Sequence, residues 1–168
     1  MRIRPFIPSD ISDMLLIYNE VIANSTAIYI DTPSTLEELQ NWVKTKQAQN
    51  YPVLVAVDGD TVLGFSAFGD WRPKPGYRYT VEHTVHVSAD TRGQGIGAQL
   101  VKALFPYAHA LGKHVILGVV DGENTGSIRF HERLGFKEVA RFPQVGYKFD
   151  RWLDAVFMQR FIDEKDAG

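Results

Sequence analysis

Three absences narrow what this chain of 168 residues can be. It has no cysteine, which excludes disulfide bonds, thiolate nucleophiles and thiolate metal sites. It has no apolar run of transmembrane length, and residues 1–5 lack the hydrophobic core of a secretory signal. It also lacks a basic excess, with a formal net charge of -2, which argues against a dedicated nucleic-acid binder. We therefore expect a cytoplasmic protein with no membrane partner, no nucleic-acid partner and no metal.

The composition is that of one globular domain over residues 1–168, with 45% hydrophobic and 23% charged residues. Hydrophobic periodicity predicts an α+β order: a strand, two helices, an antiparallel meander, then strand, helix, strand, helix and two strands. A strand is predicted over 77–87 and another over 114–120. Pro106 is expected to kink or shorten the helix between them. The last two strands, 136–140 and 152–162, are expected to be joined by a loop containing Pro143 and Gly146.

A glycine-rich turn is the strongest functional signal in the chain. The run Gly93-Gln94-Gly95-Ile96-Gly97-Ala98 follows an apolar strand and opens a helix. Free backbone N–H groups at a helix N-terminus, together with the helix dipole, favour a bound anion. Glycine allows positive φ and a close approach of the backbone to the anion. The turn therefore predicts a phosphorylated cofactor.

Several cofactors fit such a turn. Gly93-x-Gly95-x-x-Ala98 formally matches the dinucleotide fingerprint, but it lies in mid-chain after an antiparallel meander, and Asp121 is the single acid near the next strand. A P-loop is excluded, because no Gly-Lys-Ser/Thr follows. A purely structural glycine turn stays open on this motif alone.

Three motifs in sequence order suggest a further interpretation: Arg92-x-x-Gly95-x-Gly97, Asn124-x-x-Ser127 and Leu134-Gly135-Phe136. This order resembles the GNAT acetyltransferases. Segments 69–72, 79–85, 127–136 and 146–154 look like the branch that acetylates phosphinothricin, methionine sulfoximine and methionine sulfone. The resemblance implies a GNAT-type α/β/α sandwich with a mixed, mostly antiparallel sheet, splayed between strands 77–87 and 114–120. It also implies a homodimer.

The resemblance assigns acetyl-CoA as the acetyl donor. Its pyrophosphate would lie on the turn, contacted by Arg92, Gly93, Gln94, Gly95, Ile96, Gly97 and Ala98. The backbone of Val85, His86 and Val87 would pair with the pantetheine arm like an added β-strand. Asn124 would hydrogen-bond the pantetheine, although capping the following helix is an equal role for it. A backbone N–H near Val87 would polarise the thioester carbonyl.

Two side chains are candidates for proton transfer. Strand alternation places Glu82 and His86 on one face. Glu82 is the candidate base for the acceptor ammonium, directly or through water, because it lies on the strand that should hold the cofactor and the resemblance implies a base at this glutamate. An ammonium anchor or a plain surface carboxylate is the alternative. His131 matches the branch's histidine near the sulfur and would protonate the thiolate, unless it is simply a packed histidine. His86 would line the acceptor site, tune Glu82 or merely fill space.

The acceptor is expected to be a small amino-acid analogue that takes the acetyl group in a ternary complex, with no covalent enzyme intermediate. The resemblance assigns substrate contacts to Tyr29, Arg72, Lys74, Pro75, Gly76, Tyr77 and Glu82, although loop 71–77 could equally be a basic surface loop. Trp152 and Asp154 could line the pocket or a dimer contact, and packing in the strand core is an equal alternative for Trp152. Two rival functions stay open: a protein or peptide N-acetyltransferase, and a non-catalytic acyl-CoA-binding module.

Overall fold

A computed structural model describes residues 1–167, and within them seven strands form one mixed sheet with helices on both faces. The elements in chain order are β1 (Arg2–Pro5), α1 (Ile11–Asn24), α2 (Leu36–Ala48), β2 (Val53–Asp58), β3 (Thr61–Asp70), β4 (Thr80–Val87), α3 (Ile96–Ala110), β5 (Val115–Asp121), α4 (Thr125–Arg133), β6 (Lys137–Lys148) and β7 (Arg151–Phe161). The order across the sheet is β1-β2-β3-β4-β5-β7-β6.

Period-2 alternation along the strands builds two separate cores. In β2, Val53, Val55 and Val57 pack under α1 and α2, whereas Leu54 and Ala56 point to the opposite face, under α3. Helices α1 and α2 therefore form one outer layer, and α3 with α4 forms the other. This is the α/β/α sandwich that the sequence predicted.

The sheet opens in its middle. Strands β4 and β5 run parallel, and their pairing covers only Thr80–Val115, Val81–Ile116 and Glu82–Leu117. Every other strand pair is antiparallel. Beyond Glu82 the two strands separate, so the edge of β4 that faces β5 no longer has a strand partner there. The predicted splay is confirmed.

Three local predictions were wrong in detail. Strand β4 begins at Thr80 rather than residue 77, because residues 75–77 form a 3-10 turn started by Pro75. Helix α3 runs through Pro106, anchored by the buried Leu104 and Ala108. Pro143 and Gly146 lie within β6 rather than in a connecting loop.

Strand β6 tolerates Pro143 because it is an edge strand with a partner on one side only, so a missing N–H costs little. Its ladder is irregular between Phe142 and Gly146. The real connection to β7 is the two-residue turn Phe149–Asp150, in which both residues have positive φ, as a type I′ hairpin requires.

Candidate active site

The gap between β4 and β5 contains a cavity of about 430 Å³. Its walls come from five places: the α1–α2 layer with its connecting segment, β3 at Phe65, residues 82–86 of β4, the end of β5, and α4. The residues that line it are Tyr18, Ala27, Ile28, Ser34, Glu38, Leu39, Trp42, Phe65, Glu82, His83, Thr84, Val85, His86, Gly118, Val119, Val120, Asp121, Asn124, Ser127 and His131. The splayed sheet thus brings the predicted Glu82, His86, Asn124 and His131 to one space.

A second cavity, of about 480 Å³, lies over the glycine turn. It is lined by Val87, Thr91, Arg92, Gly93, Gly95, Ile96, Gly97, Ala98, Lys102, Phe130, Arg133 and Leu134. Gly93 and Gly95 both have positive φ, +81° and +79°, and a Cβ on either would meet no neighbouring atom. The requirement for glycine there is therefore conformational, and the turn leaves open space above it.

Helix α3 has no side-chain cap at its N-cap residue, Gly95. The first helical hydrogen bond at this end runs from the Gln99 N–H to the Gly95 carbonyl, which leaves the preceding amides facing the second cavity. Lys102 and Arg133 add positive charge beside them, and the Arg92 guanidinium forms an ion pair with Glu20 of α1. This is the donor set that a pyrophosphate needs.

Glu82 lies half-buried on the wall of the first cavity. Burial raises the pKa of its carboxyl above the ordinary value, and the nearby Lys46 ammonium works in the opposite direction. A carboxylate with a raised pKa is a better proton acceptor than an exposed one. The position and the environment of Glu82 therefore suit a general base.

His131 forms a buried pair with His83, their Nε2 atoms 3.1 Å apart. The His131 Nδ1 lies 2.7 Å from the Ser127 carbonyl oxygen, which can only accept, so Nδ1 carries the proton. In the neutral ring Nε2 then accepts from the Nε2–H of His83, and the buried His83 Nδ1 has no protein partner. Burial lowers the pKa of His131, so its resting form is the neutral imidazole rather than the imidazolium.

His86 lies against an aromatic wall on the α1–α2 side of the cavity. Its ring centroid is 5.5 Å from that of Tyr18 and 5.3 Å from that of Phe65. Burial lowers its pKa to about 4, with the Arg92 charge contributing in the same direction. His86 is thus a neutral wall residue on the same face as Glu82.

The segment after α1 closes one side of the cavity and is held by Lys148. The buried Lys148 ammonium donates to the carbonyl oxygens of Ile22, Ser25 and Ile28, each at 2.7 Å. Tyr29, a predicted substrate contact, donates from its hydroxyl to the Asp154 carbonyl at 2.9 Å. Tyr29 therefore supports the wall next to the cavity rather than lining it.

Loop 71–77 is not brought to the cavity of its own chain. Its predicted contacts Arg72, Lys74, Pro75, Gly76 and Tyr77 are all exposed and line neither cavity. Within the loop, the Arg72 guanidinium lies 4.8 Å from the Trp71 ring centroid. Gln94 is likewise exposed and outside both lining sets, although it lies inside the phosphate turn.

Comparison with known proteins decides the family. Residues 16–136 match the model described as the acetyltransferase (GNAT) family. The chain belongs to the GNAT acetyltransferases. The GNAT relatives include the L-methionine sulfoximine/L-methionine sulfone acetyltransferase of Pseudomonas aeruginosa, 47% identical over 92% of this chain and 91% of that one.

Two more distant GNAT relatives carry another substrate in their names. The phosphinothricin N-acetyltransferase of Streptomyces coelicolor is 30% identical, over 95% of each chain. A phosphinothricin acetyltransferase from Sinorhizobium meliloti, solved in complex with acetyl-CoA, superposes with a TM-score of 0.93 at 33% identity, covering 97% of this chain and 89% of that one. The predicted family and branch are confirmed.

Sequence reasoning missed part of this GNAT site. Tyr18, Trp42 and Phe65 have the spacing of ordinary core residues, so nothing in the pattern separates them from the rest of the α1–α2 packing. Lys102 could have been found, because it lies about one helical turn beyond the predicted phosphate turn. Arg133 lies on α4, far from that turn in sequence, and only the packing brings it to the second cavity. The His83–His131 pair joins residues 48 positions apart and has no local signal.

Within residues 1–167 no helix is long and apolar enough to cross a membrane. The same described residues contain no group of three or more His, Asp or Glu side chains arranged to hold a metal ion.

Proposed function

We propose that this GNAT enzyme transfers an acetyl group from acetyl-CoA to the α-amino group of a small amino-acid analogue. Methionine sulfoximine, methionine sulfone and phosphinothricin are the leading acceptors. One observation carries the proposal: the splayed sheet places Glu82, an aromatic wall and the free edge of β4 around one cavity of about 430 Å³. That volume suits a small ligand rather than a protein surface.

The donor site is supported by the uncapped start of α3 and by the open turn above it. The amides at Ile96, Gly97 and Ala98 would hold the pyrophosphate, with Lys102 and Arg133 nearby. The edge of β4 at Val85 and Val87 would pair with the pantetheine, and Asn124 would contact it while its side-chain oxygen caps α4 at Ser127. When bound, acetyl-CoA supplies an activated thioester.

Glu82 takes the proton from the acceptor ammonium, which frees the amine for attack on the thioester carbonyl. The transfer is direct, in a ternary complex. As the C–N bond forms and the C–S bond breaks, the attacking nitrogen loses a second proton. His131 takes up that proton at Nε2, which displaces the hydrogen bond from His83, and passes it to the leaving thiolate. Because burial lowers the pKa of His131, and a thiol has a pKa of about 8.5, that proton transfer runs downhill.

The acceptor's carboxylate needs a cation that the cavity itself does not supply. Among the described residues that line it, Glu38, Glu82 and Asp121 are acidic, and none is lysine or arginine. Arg72 and Lys74 were predicted to bind substrate, yet they lie outside the cavity of their own chain. We propose that the enzyme is a homodimer in which loop 71–77 of a second copy supplies these cations, together with Pro75, Gly76 and Tyr77.

A dimer is supported by the apolar surface of the last hairpin. Val139, Phe142, Val145, Tyr147 and Trp152 are exposed by 47–61%. They lie on or beside edge strand β6, and exposed apolar patches on a sheet edge are typical of interaction surfaces. A cytoplasmic location stays a prediction.

A release assay for the CoA thiol tests the function directly. The chain has no cysteine, so any thiol that appears comes from CoA. Acetyl-CoA is incubated with amino acids, with L-methionine sulfone and sulfoximine, with phosphinothricin, and with short peptides. We expect rapid release with the sulfone and sulfoximine; release with none of the amines would show an acyl-CoA-binding module instead.

One observation favours the rival acceptor class. The cavity lining is acidic, which suits a cationic peptide N-terminus. The same assay separates the two classes, since a peptide acetyltransferase would turn over peptides faster than the free amino-acid analogues.

A further inference from the structure

The ammonium group of Lys46 lies where residue 69 would carry a side chain. Lys46 is half-buried in the last turn of α2, and a Cβ built on Gly69 would overlap its Nζ and come within 3.3 Å of its Cε. The same Nζ lies 5.6 Å from the ring centroid of Trp42, which lines the first cavity. Glycine at 69 thus makes room for a cation beside the active site.

That cation is a direct neighbour of Glu82. Gly69 and Glu82 are partners across the antiparallel pair β3–β4. Opposite residues in such a pair point to the same face, with Cβ positions about 4.5–5.5 Å apart. The Lys46 ammonium therefore stands beside the Glu82 side chain, on the face that borders the cavity.

Other charged groups around Glu82 do not replace this one. The titratable side chains that line the same cavity are Tyr18 of α1, Glu38 of α2, His83 and His86 of β4, Asp121 of β5 and His131 of α4, and Lys46 of α2 adds its charge beside Glu82. Asp70 of β3 acts on Lys46 from the other side. Asp70 already accepts a hydrogen bond from Tyr51 and lies 4.0 Å from the Lys113 ammonium. Lys46 is the one lysine or arginine in this set, which covers the described residues.

We infer that Lys46 is a positioning residue for Glu82: its ammonium, admitted beside β4 by the missing side chain at Gly69, keeps the Glu82 carboxylate ionised and ready to accept the acceptor's proton. The inference rests on the proposed role of Glu82 as base. Burial alone would favour the protonated, inactive carboxyl group. The adjacent positive charge opposes part of that effect, although the pKa of Glu82 stays raised overall.

The test is the pH profile of kcat with L-methionine sulfone as acceptor, from pH 5.5 to 9. In Lys46→Met the acid limb moves to higher pH by about one pH unit, the lower end of the shift that the loss of a nearby opposite charge produces. Lys44→Met is the matched control, because Lys44 is an exposed lysine on the same helix. The pH profile of kcat for Lys44→Met should match that of the parent enzyme.

The Gly69→Ala variant tests the same inference independently. Its methyl group would displace the flexible end of Lys46 without removing the charge from the protein. The acid limb of the kcat profile should again move to higher pH. In the double variant Gly69→Ala with Lys46→Met, the limb should move no further than in Lys46→Met alone. An added shift in the double variant would overturn the link between Gly69 and Lys46.

Two outcomes separate this inference from the proposed function. If Glu82→Gln retains the acid limb, Glu82 is not the base and the proposed mechanism fails. If Glu82→Gln abolishes the limb but Lys46→Met leaves it in place, the role of Lys46 is wrong and the mechanism stands. A raised KM for the sulfone with an unmoved limb would mean that Lys46 binds the acceptor's carboxylate instead.

Discussion

Three histidines are buried and neutral, and two of them, His83 and His86, should make the fold acid-sensitive well above the range in which its carboxylates titrate. Burial, followed by the charges of His131 and His86, lowers the pKa of His83 to about 3. Burial lowers that of His86 to about 4. In the unfolded chain a histidine has a pKa of about 6.5. Between these pKa values the unfolded chain binds protons at the two histidines and the native state does not. The stability that the neutral histidines contribute is therefore fully present above pH 6.5 and is lost as the pH falls below it.

The size of this loss of stability follows from the same pKa values. At 1.36 kcal/mol per pKa unit, lowering the pH from 7 to 5 costs about 2 kcal/mol for each histidine, or about 4 kcal/mol for the pair. That is a large part of the 5–15 kcal/mol typical of a folded domain. Urea unfolding at pH 7, 6 and 5 gives the free energy of unfolding directly.

His86→Phe isolates one of the two groups, because phenylalanine keeps an aromatic ring between Tyr18 and Phe65. The loss of stability from pH 7 to 5 should shrink by about 2 kcal/mol in this variant. His114 is exposed, so His114→Gln is the control. A free energy of unfolding that stays flat between pH 7 and 5 would refute the assignment of His83 and His86 as buried neutral groups.

Three further predictions concern the site and its support. Glu82→Gln should lower kcat most near neutral pH, and an unchanged pH–rate profile would remove its assignment as base. His131→Ala should slow turnover more than it weakens acetyl-CoA binding measured by calorimetry; equal turnover would make His131 a packing residue. Lys148→Met should lower the free energy of unfolding, measured in urea, by about 3–5 kcal/mol, because it leaves buried carbonyl oxygens without a partner. Lys102→Met is the control, and its free energy of unfolding should not change because the Lys102 side chain is exposed.

The sequence predicts best what short-range periodicity encodes. Alternation along β4 placed Glu82 and His86 on one face, and both lie towards the α1–α2 layer, His86 against Tyr18 and Glu82 beside Lys46. The glycines at 93 and 95 predicted a turn with positive φ, and both residues have positive φ. These features depend on neighbours within a few residues, so a single chain suffices to recognise them.

Long-range contacts could not be predicted in the same way. The sequence around Lys148 is typical of a surface lysine near a turn. In the structure Lys148 is buried, and its ammonium donates to carbonyl groups more than 100 residues away in sequence. The overlap of Lys46 with the vacant side-chain position at Gly69 depends on how α2 packs on β3. The periodicity of the sequence does not predict such a contact, because the contact depends on how the helix layer packs on the sheet.

The most direct measurement of the central claim is a single turnover with radiolabelled acetyl-CoA and L-methionine sulfone, followed by separation of protein from small molecules. The account predicts that the label appears as the N-acetyl derivative of the sulfone, with an equal amount of CoA released and no label on the protein. Label trapped on the protein, or CoA release without the N-acetyl product, would contradict direct transfer to the amine of a small amino-acid analogue.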